Sequence, residues 1–223
     1  HSFGKISIAI WFKYCKKIFG INFSSKDFLN YYFWDNTTVS FKYPLIKYLP
    51  KTGNILEIGT GPFATLSRFI ESRNTDLNIT ATELNKDFYL SVCKVLTNNN
   101  SSIKVSNLNM FDGINEKFDL IFFNPPYAKS GDLEKIGVKR GTAEYMAGYG
   151  GENGTSVVID FLTKAPKFIK PNGKILLGIN NKYLNDLEIE SVIRNISQLK
   201  LHSKFYGKRD NPPFSQIYTF TIR

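Results

Sequence analysis

The chain is poor in the residues that most often announce chemistry. Its 223 residues hold two histidines, two cysteines and two methionines. Cys15 and Cys93 lie far apart and fit no zinc or redox spacing. They read as idle thiols of a reducing compartment, and a cytoplasmic location is expected. His1 reads as a trimmed or tagged start, which leaves His202 as the interior histidine, near the C-terminal strands. No metal is expected, and His202 reads as a structural or surface residue. Long apolar runs are missing too. The early run ISIAIWF (Ile6–Phe12) is too short to cross a bilayer, and no small-residue cleavage pattern accompanies it. Neither a membrane span nor a signal peptide is expected.

Acidic residues are also in short supply. Lys and Arg number 29 against 19 Asp and Glu, a formal net charge of +10. Such a balance favours a polyanionic partner, nucleic acid above all, although a generic basic surface would give the same count. Apolar residues make up 42% of the chain, enough for a sizeable core. The length suits one domain, with or without an extension.

Residues 1–43 are aromatic and basic, and are expected to form a helical extension that packs on the main domain or covers a site. Trp11, Tyr14, Cys15 and Ile18 share one helical face, with Lys13, Lys16 and Lys17 largely off it. The main domain is expected over residues 44–223. Short apolar runs alternate with helical spacing there. NILEIG, LNITATEL, SIKVSN, FDLIFFN and GKILLGIN read as strands. Between them, PFATLSRFIESR, NKDFYLSVCKVLTNNN, TSVVIDFLTKAPKFIK and NDLEIESVIRNISQL read as helices, with Asn85 as an N-cap and Pro166 as a disturbance. LKLHSKFYG and QIYTFTIR close the chain as two strands with no helix between them. The expected fold is α/β: a Rossmann-like, seven-stranded, mostly parallel sheet, with helices on both faces and an antiparallel C-terminal hairpin at the sheet edge.

Two strand ends carry candidate binding groups. LEIGTGPFA places Glu57 at the end of the first main-domain strand, followed by Gly59 and Gly61; with Ala64 this fits a short glycine fingerprint. A ligand-free structural turn would use the same residues. Glu57 would repel a pyrophosphate but suits a ligand bearing an amino group or a sulfonium. Glu83 ends the next strand, where a carboxylate can hold both hydroxyls of a ribose. NAD and S-adenosylmethionine both qualify at this point.

FDLIFFNPPY decides between them. Asn124-Pro125-Pro126-Tyr127 sits at the C-terminal end of the fourth strand, where ligands of open α/β sheets bind. Two prolines make a stiff turn without N–H donors. The Asn124 side-chain oxygen and the Pro125 carbonyl then form an acceptor pair that suits a planar –NH₂ group. Tyr127 can offer a face to a flat substrate. Two acceptors on the hydrogens of a delocalised nitrogen free its lone pair for in-line displacement at a methyl carbon.

These residues resemble the class I S-adenosylmethionine-dependent methyltransferases, and within them the amino-methyltransferases with an N-P-P-[YF] motif. The resemblance runs from about residue 53 to the end of the chain. It implies a catalytic group of Asn124, Pro125, Pro126 and Tyr127, and S-adenosylmethionine as cofactor. It implies cofactor contacts by Glu57, Gly59, Thr60, Gly61, Glu83, Leu84, Asn109, Met110 and Asn124. Asn109, or else Asn107, stands where the family usually has an acid that contacts the adenine, and Phe63 where many relatives have a third glycine.

Two substrate classes share the motif: the exocyclic amine of adenine, or less often guanine, in RNA or DNA, and the amide of a protein glutamine, as in release-factor methyltransferases; the first reading is adenine N6 in structured RNA such as ribosomal RNA. Gly150, Gly151, Asn153 and Gly154 resemble a segment of the glutamine group, although such glycines also start helices. Lys129, Lys135, Lys139 and Arg140 follow the motif, and Lys204, Lys208 and Arg209 form a second basic cluster. Lys129, Lys139, Arg140 and Arg209 are the candidate RNA contacts. No separate helical bundle of the size many bacterial glutamine methyltransferases carry is read ahead of the glycine turn in these residues. RNA is therefore the favoured substrate and glutamine the alternative; a non-catalytic RNA-binding module and an NAD enzyme rank below both. Asn211-Pro212-Pro213-Phe214 repeats the letters of the motif between the last two strands and reads as a stiffened hairpin loop. Replacing Asn124 with Ala is expected to abolish methyl transfer, and replacing Asn211 with Ala to leave it intact, measured as label moved from radiolabelled S-adenosylmethionine to acceptor.

Overall fold

The computed structural model describes residues 3–22, 31–135, 137–207 and 214–223. The N-terminal segment is not all helical. Strand β1 (Phe3–Ser7) pairs antiparallel with β2 (Tyr31–Asp35), from Phe3 opposite Asp35 to Ser7 opposite Tyr31. The run YYFWD has the aromatic composition that favours extended chain, which accounts for a strand where a helix was expected. Helix α1 (Ile8–Phe19) follows β1 and has the amphipathic face read from the sequence. Cys15, Ile18 and Phe19 are buried, while Lys13, Lys16 and Lys17 are exposed. The side chain of Trp11, assigned to the same face, lies outside the described residues. Two short helices come next, α2 (Asn36–Ser40) and α3 (Lys42–Tyr48). The boundary expected at residue 43 therefore falls inside α3.

The main sheet is built from β3 (Gly53–Ile58), β4 (Leu77–Thr82), β5 (Lys104–Ser106), β6 (Phe118–Phe123), β7 (Ile169–Asn180), β8 (Leu199–Tyr206) and β9 (Ser215–Ile222). Helices α4 (Thr65–Glu71), α5 (Lys86–Asn98), α6 (Ser130–Lys135), α7 (Ala143–Gly148), α8 (Ser156–Lys164) and α9 (Asp186–Arg194) connect them. Local chemistry sets several ends. The Asn85 side chain accepts from the N–H groups of Asp87 and Phe88 at 2.9 and 3.1 Å and so starts α5. Asn185 and Glu188 form a reciprocal capping box at the start of α9. Helix α8 stops at Lys164, and Ala165–Lys167 with Pro166 form a 3₁₀ turn. Strand β7 starts at Ile169, ahead of the glycine at which the sequence reading began it.

Strand order is β5-β4-β3-β6-β7-β9-β8. Every strand except β9 runs parallel to β3; β9 pairs antiparallel with both β7 and β8. This is the expected seven-stranded sheet with its C-terminal hairpin. The hairpin lies at the sheet edge, with β8 outermost and the last strand inside it. That last strand enters between β7 and β8, and the first six of its eight residues are buried. Adjacent residues serve opposite faces: Ile55, Leu120 and Leu176 join the cluster beneath α1, α4 and α5, whereas Leu56, Ile121 and Leu177 join the one beneath α8 and α9. Both faces are covered, which explains strands that read as unbroken apolar runs.

The chain builds β4 and β5 on one side of β3 and then crosses to β6 on the other. A crevice opens at such a switch point, beyond the carboxyl ends of β3 and β6. Helix α2 packs on β7 and β9 near that end. A methyl group added at Gly178 of β7 would lie 2.5 Å from the Phe41 ring and 2.8 Å from Thr37 Cγ2. Glycine is needed there for close approach. Gly178→Ala should lower stability by about 1–3 kcal/mol through overpacking, measured by urea unfolding; an unchanged midpoint would show that α2 is not seated on the sheet.

Candidate active site at the carboxyl edge of the sheet

Ile58 and Phe123 are Cα partners in the β3–β6 ladder. Gly59 and Asn124 therefore leave the sheet side by side. Gly59 has φ +60°, and a Cβ there would come within 2.9 Å of Phe123 Cε2. Gly61 has φ +68°, and Ala64 at the start of α4 is also left-handed. The turn is tight and needs its glycines.

Two carboxylates brace this turn. Glu57 points from β3 toward α4 and is 5% exposed. Its Oε2 accepts from Thr60 Oγ1 at 2.7 Å, from the Ser67 N–H at 3.2 Å, and from the Ser67 hydroxyl. Burial pushes the Glu57 carboxyl up to about 7 against the pull of these bonds, with nearby Glu83 raising it further. Glu83 follows β4 and is 7% exposed. Its Oε2 accepts from the Gly61 N–H and its Oε1 from the Asn85 N–H, both at 2.8 Å. Burial raises its pKa as well. The Thr60 N–H donates to Thr82 O at 3.0 Å, which ties the turn to β4.

Beyond Glu83, Leu84 is an exposed apolar side chain. Asn107 donates its amide N–H to the carbonyls of Glu83 and Leu84 at 2.7 and 3.0 Å. Asn107 is thus a brace, whereas Asn109 is exposed beside half-buried Met110, whose φ is +49°.

The Asn-Pro-Pro-Tyr segment is held from two sides. From α2, Thr38 Oγ1 accepts from Asn124 Nδ2 at 3.3 Å. Thr37 Oγ1 and the Tyr127 hydroxyl share a hydrogen bond at 3.2 Å. Asn124 Oδ1 is buried with no hydrogen-bond partner. Tyr127 is 3% exposed and its ring stacks on Tyr183, centroids 6.2 Å apart. The stacking face expected of Tyr127 is covered in this arrangement. From the other side, the Ala128 N–H donates to Gly148 O and the Gly150 N–H to Ala128 O, at 2.9 and 3.0 Å. A Cβ on Gly150 would lie 2.6 Å from Tyr127 Cα, and one on Gly154 2.5 Å from Tyr127 O. These glycines exist because two main chains touch, which is a packing reason independent of substrate.

The basic candidates are dispersed. Lys129 pairs with Glu188 at 3.2 Å. Arg140 pairs with exposed Glu134 at 2.6 Å and also meets Ser130. Lys139 is exposed. Lys204 pairs with Asp186 at 2.6 Å. Lys208, Arg209 and residues 211–213, read from the sequence as a stiffened hairpin loop, lie outside the described residues. His202 is exposed on β8, its ring near Tyr48. Thr37 and Thr38 escaped the sequence reading. Neighbouring threonines form no recognisable pattern, and they stand 90 and 86 positions from their partners. Among the described residues, no group of three or more His, Cys, Asp or Glu could hold a metal, and no helix is long and apolar enough to cross a membrane.

A parallel sheet with one inserted antiparallel strand, and polar groups gathered where β3, β4 and β6 end, defines the methyltransferase fold. A methyltransferase from Pyrococcus furiosus superposes with a TM-score of 0.67 at 23% identity, covering 95% of this chain and 94% of that one. The chain belongs to the Eco57I restriction-modification methylase family, whose profile matches residues 13–209. The bifunctional methyltransferase of Rickettsia prowazekii (strain Madrid E) is 34% identical over 190 residues, which is 74% of this chain and 36% of that protein. The release factor glutamine methyltransferase of Streptococcus pneumoniae (strain ATCC BAA-255 / R6) is 28% identical over 130 residues, 58% of this chain and 46% of that one. The chain spans between 25% and 46% of the length of these and the other curated relatives it matches.

Glu57 carries a consequence for stability. In the unfolded chain it ionises near its ordinary 4.5, in the folded chain near 7. The folded state keeps its proton longer, so the stabilisation is full below 4.5 and is lost as pH rises through 7. The loss should be on the order of 3 kcal/mol. Stability measured from pH 4 to 8 should fall less steeply in Glu57→Gln; equal slopes in the two proteins would exclude Glu57 as the source.

Proposed function

We propose that the protein transfers a methyl group from S-adenosylmethionine to the exocyclic N6 of adenine in RNA, and that it is one of the N-P-P-[YF] amino-methyltransferases. One observation carries the reading: a buried acceptor without a partner, Asn124 Oδ1, beside the glycine turn. A buried polar atom left unpaired costs free energy unless a ligand satisfies it. A donor is what this atom lacks, and a planar –NH₂ group provides one.

The residues fit the cofactor. Gly59 and Gly61, both at positive φ, add no side chain of their own at the end of β3 and let a ligand approach the backbone. Glu57 is a buried carboxylate suited to a cationic ligand, and each Glu83 oxygen keeps a lone pair beyond its bond to a backbone N–H. When bound, S-adenosylmethionine supplies a methyl carbon attached to a positively charged sulfur leaving group. The protein supplies orientation. Asn124 Oδ1 and the Pro125 carbonyl accept the two amine hydrogens, and the nitrogen lone pair turns out of the ring plane toward the methyl. Once the nitrogen carries the methyl it is cationic and strongly acidic, and it releases its extra proton to water, so no tuned general base is required. Leu84, Asn109 and Met110 line the side on which the cofactor base would lie, and a substrate base reaches Tyr127 once Tyr183 moves aside.

The family's description as restriction-modification methylases and the +10 charge support a nucleic acid acceptor. Glutamine stays as a second reading because a sequence relative bears the name release factor glutamine methyltransferase. The Gly150–Gly154 turn no longer weighs for it, given the backbone contacts that require those glycines. Tritiated S-adenosylmethionine offered with total RNA and with a purified release factor separates the two. Label is expected in RNA. Label in protein alone would replace adenine by glutamine, and label in neither pool would overturn the transferase reading.

A further inference from the structure

We infer that Thr38 is a positioning residue: its hydroxyl accepts from Asn124 Nδ2 and holds the amide where its Oδ1 meets the acceptor amine. The inference rests on the reading above, in which Asn124 holds the amine, and adds a part of the site that lies outside the glycine turn and the Asn-Pro-Pro-Tyr motif.

An asparagine side chain presents an oxygen on one side and an –NH₂ on the other, similar in shape and opposite in hydrogen-bond sense. Rotation by half a turn would replace the acceptor by a donor and repel an amine. The backbone turn made by Pro125 and Pro126 does not select between the two orientations. The Thr38 hydroxyl holds the amide by Nδ2 in the orientation seen; because a hydroxyl can also donate, it fixes the position of the amide, and the acceptor amine, which needs Oδ1, completes the choice. Thr38 accepts at 3.3 Å, is 5% exposed, and leaves Asn124 Oδ1 as the buried atom without a partner.

The rest of the segment is built to hold that hydroxyl still. Thr37, the adjacent residue, ties the same helix to Tyr127 at the far end of the motif. Phe41 is fully buried against Phe122 of β6, ring centroids 6.1 Å apart, and Gly178 leaves room for both Phe41 and Thr37. Helix α2 thus touches the first and last residues of Asn124–Tyr127, packs on β7 and β9, and is followed by Phe41, which is seated against β6. The N-terminal segment is part of the transfer site and not only a cover over it. A shift of the acceptor by about 1 Å is enough to cost on the order of a hundredfold in rate.

Thr38→Val keeps the shape and removes the hydroxyl; Thr38→Ser keeps the hydroxyl. With the acceptor pool that the wild type labels, Thr38→Val should lower kcat by roughly ten- to a hundredfold. The affinity for S-adenosylmethionine should stay unchanged, and Thr38→Ser should restore most of the rate. A loss spread equally over KM and cofactor affinity, or no rescue by serine, would mean a packing role and overturn the inference. A second readout needs no activity. In protein labelled with ¹⁵N-asparagine and free of ligand, the Asn124 side-chain amide resonances should move in Thr38→Val and return in Thr38→Ser. Coincident wild-type and Thr38→Val resonances would overturn the inference even if methyl transfer is confirmed. Shifted resonances without label in any acceptor would leave the hydrogen bond standing and place the failure in the transferase reading.

Discussion

The parallel pairing of β3 with β6 is the constraint from which the site follows. Ile58 opposite Phe123 puts the glycine turn and the Asn-Pro-Pro-Tyr turn at the same height above the sheet. Slipping the ladder by one residue would reverse which side chains face α4 and which face α8, since the strand period is two. Both faces are buried, so such a slip would exchange the apolar side chains of the two differently packed clusters and spoil the fit of both. Apolar burial therefore holds the two turns in register, though none of the residues that enforce it belongs to the chemistry.

On this base the protein keeps two buried carboxylates close together, an arrangement that costs stability unless the oxygens are hydrogen-bonded. Glu57 draws on α4 through Ser67 and on the turn through Thr60, while Glu83 draws on Gly61 and Asn85. The bonds hold the glycine turn in shape and leave the region electronegative. Raised pKa values show that the bonds do not fully offset burial. A cation arriving at this turn would recover part of the remaining cost.

Much of the fold was legible because its signals are local or periodic. Apolar strands alternating with amphipathic helices imply the doubly covered sheet, and Asn85 caps its helix as the letters indicate. The strand-end carboxylates and the Asn-Pro-Pro-Tyr turn were legible for the same reason. Other readings needed the structure. Lys129 and Arg140, positive letters in a loop, are bound to Glu188 and Glu134. The aromatic run at Tyr31–Asp35 forms a strand because Phe3–Ser7 is there to pair with it. The last strand enters between β7 and β8 because its apolar side chains find cover there on both faces, which hairpin spacing alone does not reveal.

By itself the sequence determined the class of fold and the residue types that stand at the carboxyl edge of the sheet, since these depend on neighbours within a few positions. Tertiary structure decided which of those groups are held, braced or left unpaired. Asn124 and Tyr127 meet Thr38 and Thr37 across 86 and 90 positions of chain. Such hydrogen bonds depend on where two segments come to rest in space, and no spacing along the chain encodes that.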